Sequence, residues 1–368
     1  MQTGLSYGVK QMEKNKPAKK WVLWVVSSAV AIMLICAAMT VLVDPFFHYH
    51  APIWQYSYPS EASYYTNDGI LKNLDYSAII TGTSMTENFK VSEAEALFGG
   101  SFVKVPLSGA SLKEVSDQLY RAYASGKSPD LVIRGLDISY LHQGEDFSYH
   151  DYSDMEYLFN DVFIDDVNYF LNCTVFFDHV LPAVFSAKTP MRQVFFDTYC
   201  AWNFETGRTN VLNSYAHSDK TAPEKPLTGE EKEILLGNIR QNAAKIAAEH
   251  PETTFYYFFT PYSICSWDEY HADGTIGRRI EAEKLAAAEL LKYPNIKLFS
   301  FWSDHDVICD LNNYVDSSHY AENVNSAILS WMSEGKYQLT GENYLRYYNE
   351  AEDFFRNYDY SQFGRDEE

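Results

Sequence analysis

A long apolar run near the N-terminus places the strongest constraint on this chain. Trp21 to Val43 are 23 consecutive residues without a charged side chain. As an α-helix the run is about 34 Å long, enough to cross the hydrocarbon core of a bilayer. A cleaved signal peptide ending near the small residues Ala37 and Ala38 is the alternative. The run is longer than the apolar part of a usual signal, which favours an uncleaved anchor.

The charges around this run predict its orientation. Residues 1–43 have a net charge of +4, whereas the whole chain carries −21, so residues 44–368 carry −25. Positive charge stays on the cytoplasmic side of a membrane span, which predicts a cytoplasmic N-terminus and an extracellular domain. A surface this acidic repels polyphosphate, which argues against nucleic-acid binding. The basic residues are Lys10, Lys14, Lys16, Lys19 and Lys20, with Glu13 as the one acidic residue.

Four cysteines lie beyond the anchor: Cys173, Cys200, Cys265 and Cys309. An even number in an oxidising compartment permits two disulfides, and pairing of sequence neighbours is one of three connectivities. Free thiols are an equally open alternative, because a domain of this size needs no covalent cross-links. The cysteine spacing does not resemble a zinc site, and we expect neither a metal nor a cofactor.

From residue 75 onward, short apolar runs rich in β-formers alternate with helical stretches. Strands that are apolar on both faces and separated by helices predict a parallel sheet covered on both sides. Active sites in such folds lie at the carboxyl ends of the strands. The five predicted strands are 76–81, 102–107, 130–138, 254–260 and 296–301.

Two aromatic and acidic segments interrupt or follow this alternation. The insertion 139–226 comes after the third strand, where a loop over the strand ends would lie. We expect it to be a lid with its own small core, and binding of sugars by its aromatic rings is the alternative. In the segment 337–368 the rings from Tyr344 to Tyr358 recur at helical intervals, which favours packing against the domain.

Two strand ends carry candidates for nucleophilic catalysis. Ser84 follows the first strand in Gly82-Thr83-Ser84 and starts a predicted helix, which would expose its hydroxyl. A Gly-x-Ser tripeptide alone is more often a helix cap. Gly109, after the second strand, could offer a backbone N–H to a substrate oxygen.

An Asp-x-x-His pair follows the last strand. Asp316 and His319 on one turn can place the imidazole over a serine, with the carboxylate selecting its tautomer. The same spacing occurs at Asp268 and His271, which we predict to lie in a solvated loop. The pair after the last strand is favoured because it can return to the sheet edge near Ser84.

Taken together, the blocks Ile79–Ser84, Leu107–Ser111 and Asp316–His319 resemble, in this order, the SGNH (GDSL-like) hydrolase superfamily. The resemblance covers residues 75–138 and 253–333. It implies a flavodoxin-like three-layer sandwich with a five-stranded parallel sheet. It also implies an acyl-transferring triad of Ser84, His319 and Asp316, with Gly109 in the oxyanion hole. The anchor and the aromatic insertion resemble membrane-tethered members that act on cell-envelope polymers.

One position departs from the family pattern. The superfamily usually has an asparagine after the third strand as an oxyanion donor, whereas this chain has Asp137. An ionised carboxylate cannot donate and would oppose a developing oxyanion. Asp137 could be protonated and donate, could point elsewhere and hold Ser84 or a neighbouring loop, or could mark a weakened site. We favour the second interpretation.

The sequence therefore predicts an extracytoplasmic serine esterase or O-acyltransferase acting on acyl esters of cell-envelope or exported polysaccharide. A catalytically inactive, membrane-anchored glycan-binding or scaffold protein of the same fold is the alternative. The sequence identifies no protein partner in the membrane. The predicted organisation is a cytoplasmic basic segment (1–20), a transmembrane anchor (21–43), a juxtamembrane linker (44–74), an SGNH-like α/β domain (75–336) and an acidic aromatic C-terminal segment (337–368).

Overall fold

The computed structural model describes residues 4–57, 63–160, 162–186, 189, 191–198 and 205–363, with backbone alone for 4–17. It is a mixed α/β structure with one sheet and a long N-terminal apolar helix. The helices are α1 (Gly4–Val43), α2 (Ser63–Asn73), α3 (Val91–Phe98), α4 (Leu112–Ala124), α5 (Val167–Phe170), α6 (Leu181–Phe185), α7 (Met191–Phe195), α8 (Arg208–Ser214), α9 (Gly229–Ile239), α10 (Lys245–Glu249), α11 (Ile264–Ala272), α12 (Ile276–Leu290), α13 (His305–Ile308), α14 (Glu322–Glu334) and α15 (Tyr344–Asn357).

The sheet has six strands in the order β2-β1-β3-β4-β5-β6. The first five are parallel, and β6 pairs antiparallel with β5 at the edge. The five predicted strands are confirmed. The sixth was missed because two residues in the predicted C-terminal segment show no strand pattern. The strands are β1 (Ala78–Gly82), β2 (Phe102–Pro106), β3 (Leu131–Leu136), β4 (Thr254–Phe259), β5 (Ile296–Ser300) and β6 (Gln338–Leu339).

The strands lie in the centre of the main hydrophobic core. Every residue of β1 and of β2 is buried, including Lys104, so both faces of these strands are covered and apolar residues occur on both. Their register places Ala78 beside both Phe102 and Leu131. The carboxyl ends of β1, β3 and β4 therefore meet at one edge of the sheet.

The predicted transmembrane segment lies in α1. Within the described residues, Ala18–Val43 is the one helical stretch long and apolar enough to cross a membrane. Most of its large side chains are exposed, including Trp21 and Trp24. The predicted linker 44–74 is more structured than expected, because α2 lies in it and buries Ile70 and Leu71 against the domain.

The described part of the insertion forms a small separate core, as expected, but this core lies against the end of α1. Val43 at the end of α1 and Phe46, three residues later, pack with Tyr157, Tyr169 and Val180 from the insertion. The C-terminal segment packs on the domain as predicted, because α15 contacts α12 and buries Tyr348, Ala351 and Phe355.

Two local predictions were wrong. The helix predicted to start at Ser84 is divided into a 3-10 turn, Ser84–Thr86, and α3. The predicted solvated loop around Asp268 is the helix α11, and Asp268 is only 1% exposed.

Among the described cysteines, Cys36, Cys173, Cys265 and Cys309 are free thiols, so the Cys265–Cys309 pairing is absent. Cys200 lies outside the described residues.

Candidate active site

The turn after β1 presents Ser84 at the edge of the sheet. β1 ends at Gly82, whose φ of 148° is unfavourable for any residue with a Cβ. A Cβ there would also lie 2.7 Å from the methyl group of Thr86. Thr83 then caps the 3-10 turn by accepting a hydrogen bond of 3.3 Å from the N–H of Met85. Glycine at position 82 thus permits the sharp turn that begins with Ser84.

A chain of hydrogen bonds joins the three residues predicted as a triad. The Ser84 Oγ lies 3.0 Å from Nε2 of His319. The Nδ1 of the same imidazole lies 2.7 Å from Oδ2 of Asp316. Ser84 and His319 are 235 positions apart in the sequence, so the fold brings them together. With Nδ1 protonated toward the carboxylate, Nε2 can accept the serine proton.

Asp316 is also held by its own loop. Its Oδ1 accepts hydrogen bonds from the backbone N–H of Ser318 at 2.8 Å and of His319 at 2.7 Å. Burial alone would raise the pKa of Asp316, but the bonds from His319 and from the loop outweigh it and lower the pKa to about 2. The carboxylate is therefore ionised throughout the neutral range and can stabilise an imidazolium.

Two further contacts hold the loop that carries His319. The carbonyl of Ser317 accepts hydrogen bonds from the hydroxyls of Ser263 at 2.6 Å and Ser266 at 2.7 Å. The hydroxyl of Tyr320 donates to the carbonyl of Met85 at 2.7 Å. The loop after β4 and the turn after β1 thereby position the imidazole together.

Asp137 holds the turn next to Ser84. Its carboxylate accepts hydrogen bonds from the hydroxyls of Thr83 at 2.5 Å, Thr260 at 2.9 Å and Tyr262 at 3.3 Å. The side chain is buried, and burial raises its pKa although these three hydroxyls and nearby His319 act in the opposite direction. The structure thus matches the second interpretation of Asp137, in which the carboxylate supports a neighbouring loop.

A cavity of about 250 Å³ opens over these residues. Sequence reasoning missed most of its wall, because serines, tyrosines and an acid in loops have no distinctive spacing. Their one recognisable signal is position, since Tyr262 follows the carboxyl end of β4. The lining residues are Thr83, Ser84, Met85, Asp137, Ser139, Tyr140, Tyr262, Ser266, Glu269, Tyr270, Ser317, Ser318 and His319.

The structure does not place Gly109 in the wall of this cavity. Gly109 has a φ of 67°, and a Cβ at this position would meet no atom within 4 Å. The glycine therefore suits its backbone conformation, and its role as an oxyanion donor stays a prediction. Of the described insertion, only Ser139 and Tyr140 line the cavity, so the expected lid over the site is not present in that part of the chain.

The second Asp-x-x-His pair is not assembled in the same way. Asp268 bonds Nδ1 of His217 at 2.8 Å. His271 stacks on Tyr360, with ring centroids 4.8 Å apart. Neither residue lines the cavity beside Ser84.

A hydroxyl, an imidazole and a carboxylate linked in this order form a nucleophile, a general base and a group that orients the base. This arrangement can cleave an ester through a covalent acyl-serine intermediate. No protein-family model, curated protein or solved structure matches this chain.

Proposed function

We propose that this protein is a membrane-anchored serine esterase or O-acyltransferase of the SGNH type. The observation that carries the proposal is the hydrogen-bonded series Ser84, His319 and Asp316, in which the serine and the histidine line a cavity. A serine that only capped a turn would need no imidazole at 3.0 Å from its hydroxyl.

In the proposed reaction, Nε2 of His319 accepts the Ser84 proton as Oγ attacks the ester carbonyl carbon. The tetrahedral intermediate collapses, the C–O bond to the alcohol breaks, and His319 returns the proton to the leaving oxygen. Water or a sugar hydroxyl then attacks the acyl-serine while His319 accepts its proton. The bond from the acyl carbon to Ser84 Oγ breaks, the acid or the new ester leaves, and His319 returns the proton to Oγ. Asp316 keeps the imidazole oriented and stabilises its charged form in both steps.

The oxyanion requires donors from the backbone. The N–H groups of Ser84 and Gly109 are the proposed donors, as the resemblance to SGNH hydrolases implies. The Asp137 carboxylate already accepts hydrogen bonds from three hydroxyls, so its proposed role is to stabilise the turn that carries Ser84. Loss of one oxyanion donor typically lowers a rate by about 10²–10³, which leaves measurable chemistry.

The proposed fold is the flavodoxin-like sandwich of the SGNH enzymes. Its support is the strand order β2-β1-β3-β4-β5 within the sheet. The additional strand β6 extends this arrangement at one edge by a single antiparallel pairing with β5.

The proposed substrate is an acyl ester on a cell-envelope or exported polysaccharide. The cavity wall is rich in hydroxyl groups, from serines and from Tyr140, Tyr262 and Tyr270, which suits a polar acceptor or donor sugar. A volume of about 250 Å³ suits a short acyl group better than a long lipid chain. We place the domain outside the cell, with α1 as the membrane span and the lysine-rich N-terminus inside.

The test is ester hydrolysis by the purified full chain with p-nitrophenyl acetate. Ser84→Ala and His319→Ala should each lower kcat/KM by at least about 10³-fold. His271→Ala is the matched control, because it removes the histidine of the other Asp-x-x-His pair. Equal turnover by the parent and Ser84→Ala would refute the proposal. If only His271→Ala lost activity, His271 and not His319 would be the general base.

A further inference from the structure

Large apolar side chains are exposed on the insertion. Phe163 is 73% exposed, Ile164 84%, Phe177 61% and Phe185 79%. Trp54, in the segment that leaves the anchor, is 64% exposed. So many exposed large apolar groups in neighbouring segments indicate a surface that is covered by something other than water.

These segments pack against the end of the membrane-spanning helix. Both α5 and the π-helical turn Val175–Val180 contact α1. Met39 and Val43 of α1 belong to the same small core as Tyr169 and Val180 of the insertion. Phe177 is on the π-helical turn, Phe163 and Ile164 come shortly before α5, and Phe185 ends α6, which packs on that turn. The exposed apolar residues therefore lie on, or next in the chain to, elements that contact α1.

Hydrogen bonds to two carboxylates stabilise this packing where the chain leaves α1. The carboxylate of Asp44 accepts hydrogen bonds from the hydroxyl of Tyr169 at 2.8 Å and from the N–H of Tyr49 at 2.8 Å. The carboxylate of Asp166 accepts one from the Tyr49 hydroxyl at 3.0 Å and lies 3.1 Å from Nε2 of His48. The start of α5 cannot move away from the anchor without breaking these contacts.

The length of α1 places this contact at membrane depth. A hydrocarbon core about 30 Å thick takes up about 20 helical residues, so a span that starts at Trp21 reaches Thr40. The turns that contact the insertion, around Met39 and Val43, then lie at the boundary between acyl chains and headgroups. Elements fixed beside those turns must lie at the same level.

We propose that the exposed apolar residues of the insertion, together with Trp54, insert into the lipid leaflet on the side of the domain. The occupant of this surface is the bilayer that holds α1. Aromatic and aliphatic side chains are typical of such interfacial contacts. Residues 139–186 contain no lysine or arginine, so the contact is made by apolar insertion and does not require anionic headgroups. The inference rests on the proposed membrane span and is independent of the esterase chemistry.

The test uses the full chain in phosphatidylcholine nanodiscs, with an NBD fluorophore on single introduced cysteines. Cys36, Cys173 and Cys200 are first changed to serine, and this parent measures background labelling. Phe163→Cys and Phe177→Cys report on the proposed surface. Leu345→Cys is the matched control, because Leu345 is 53% exposed on α15, which packs against α12 instead of α1. Val30→Cys, in the centre of α1, reports on the span itself.

Nitroxide-labelled lipid should quench NBD at positions 163 and 177 several-fold more strongly than at 345, and aqueous iodide should show the reverse order. Iodide quenching at 163 and 177 equal to that at 345 would overturn the inference. Protection from both quenchers would also overturn it, since a protein and not lipid would then cover the surface. If position 30 is not quenched by nitroxide lipid, the proposed span itself fails.

Discussion

The phenol of Tyr320 donates a hydrogen bond of 2.7 Å to the main-chain carbonyl of Met85. Met85 follows the candidate nucleophile, and Tyr320 follows the candidate base. One buried hydrogen bond therefore connects the turn that carries Ser84 to the loop that carries His319, and it sets the separation of the two reacting groups.

Tyr320→Phe should lower kcat about tenfold with little change in KM, because the serine and imidazole lose their fixed separation. The free energy of unfolding should fall by about 1–3 kcal/mol, since the Met85 carbonyl is left unpaired. Tyr314→Phe is the control, because its hydroxyl donates to the Pro261 carbonyl at 2.8 Å and does not join these two segments. Steady-state kinetics and chemical denaturation of both variants make the comparison. Equal loss of kcat in both would argue against a specific positioning role.

Asp316 predicts a pH dependence of stability. Its pKa is lowered to about 2 in the folded chain from an ordinary value of 3.8, so the folded state favours the ionised form. The stabilisation is complete above about pH 4 and is lost as the pH falls through the folded-state pKa near 2. Asp316→Asn should therefore be less stable than the parent at pH 6, and this difference should shrink between pH 4 and 2. Denaturant titrations across this range would contradict the assignment if the difference stayed constant.

Two substitutions of Asp137 should show whether it stabilises the fold as a hydrogen-bond acceptor or through its negative charge. Asp137→Ala removes the acceptor of three hydroxyls and should cost about 1–3 kcal/mol for each hydroxyl left unpaired. Asp137→Asn keeps one acceptor oxygen, so it should cost less. The melting temperature should be highest for the parent, lower for the Asn variant and lowest for the Ala variant. An Ala variant as stable as the Asn variant would show that these hydrogen bonds do not support the turn.

The free thiols predict that stability does not depend on redox conditions. Because none of the described cysteines is in a disulfide, a reducing agent should leave the melting temperature unchanged. A disulfide typically contributes about 2–4 kcal/mol, so a drop of several degrees on reduction would reveal one. Differential scanning fluorimetry with and without dithiothreitol measures this.

The central sheet could be predicted because buried parallel strands leave a continuous apolar signal. Strands β1 to β5 were all found, and the strand-end rule placed Ser84 and the Asp316–His319 pair at one edge. The choice of this pair over Asp268 and His271 depended on topology, and the structure bonds His319 and not His271 to Ser84. The prediction that Asp268 lies in a solvated loop was wrong, because Asp268 is buried in α11 and bonds Nδ1 of His217.

Other features left no readable pattern. The hydrogen bond that Thr83 donates to Asp137 joins residues 54 positions apart, and no local spacing indicates such a contact. Gly109 matched a motif by its place after β2, but the path of the loop decides whether it reaches the cavity. The aromatic insertion suggested a lid, whereas Tyr169 and its neighbours pack on the end of α1. Which surface an aromatic segment covers is a tertiary property.

Covalent labelling of Ser84 tests the central claim most directly. The full chain is incubated with a fluorophosphonate, and the peptide containing Ser84 is analysed by mass spectrometry. A serine activated by His319 displaces fluoride and forms a phosphonyl ester, so we predict an adduct on Ser84 that forms much more slowly in His319→Ala. An unmodified Ser84, or an adduct that forms equally fast without His319, would contradict the account.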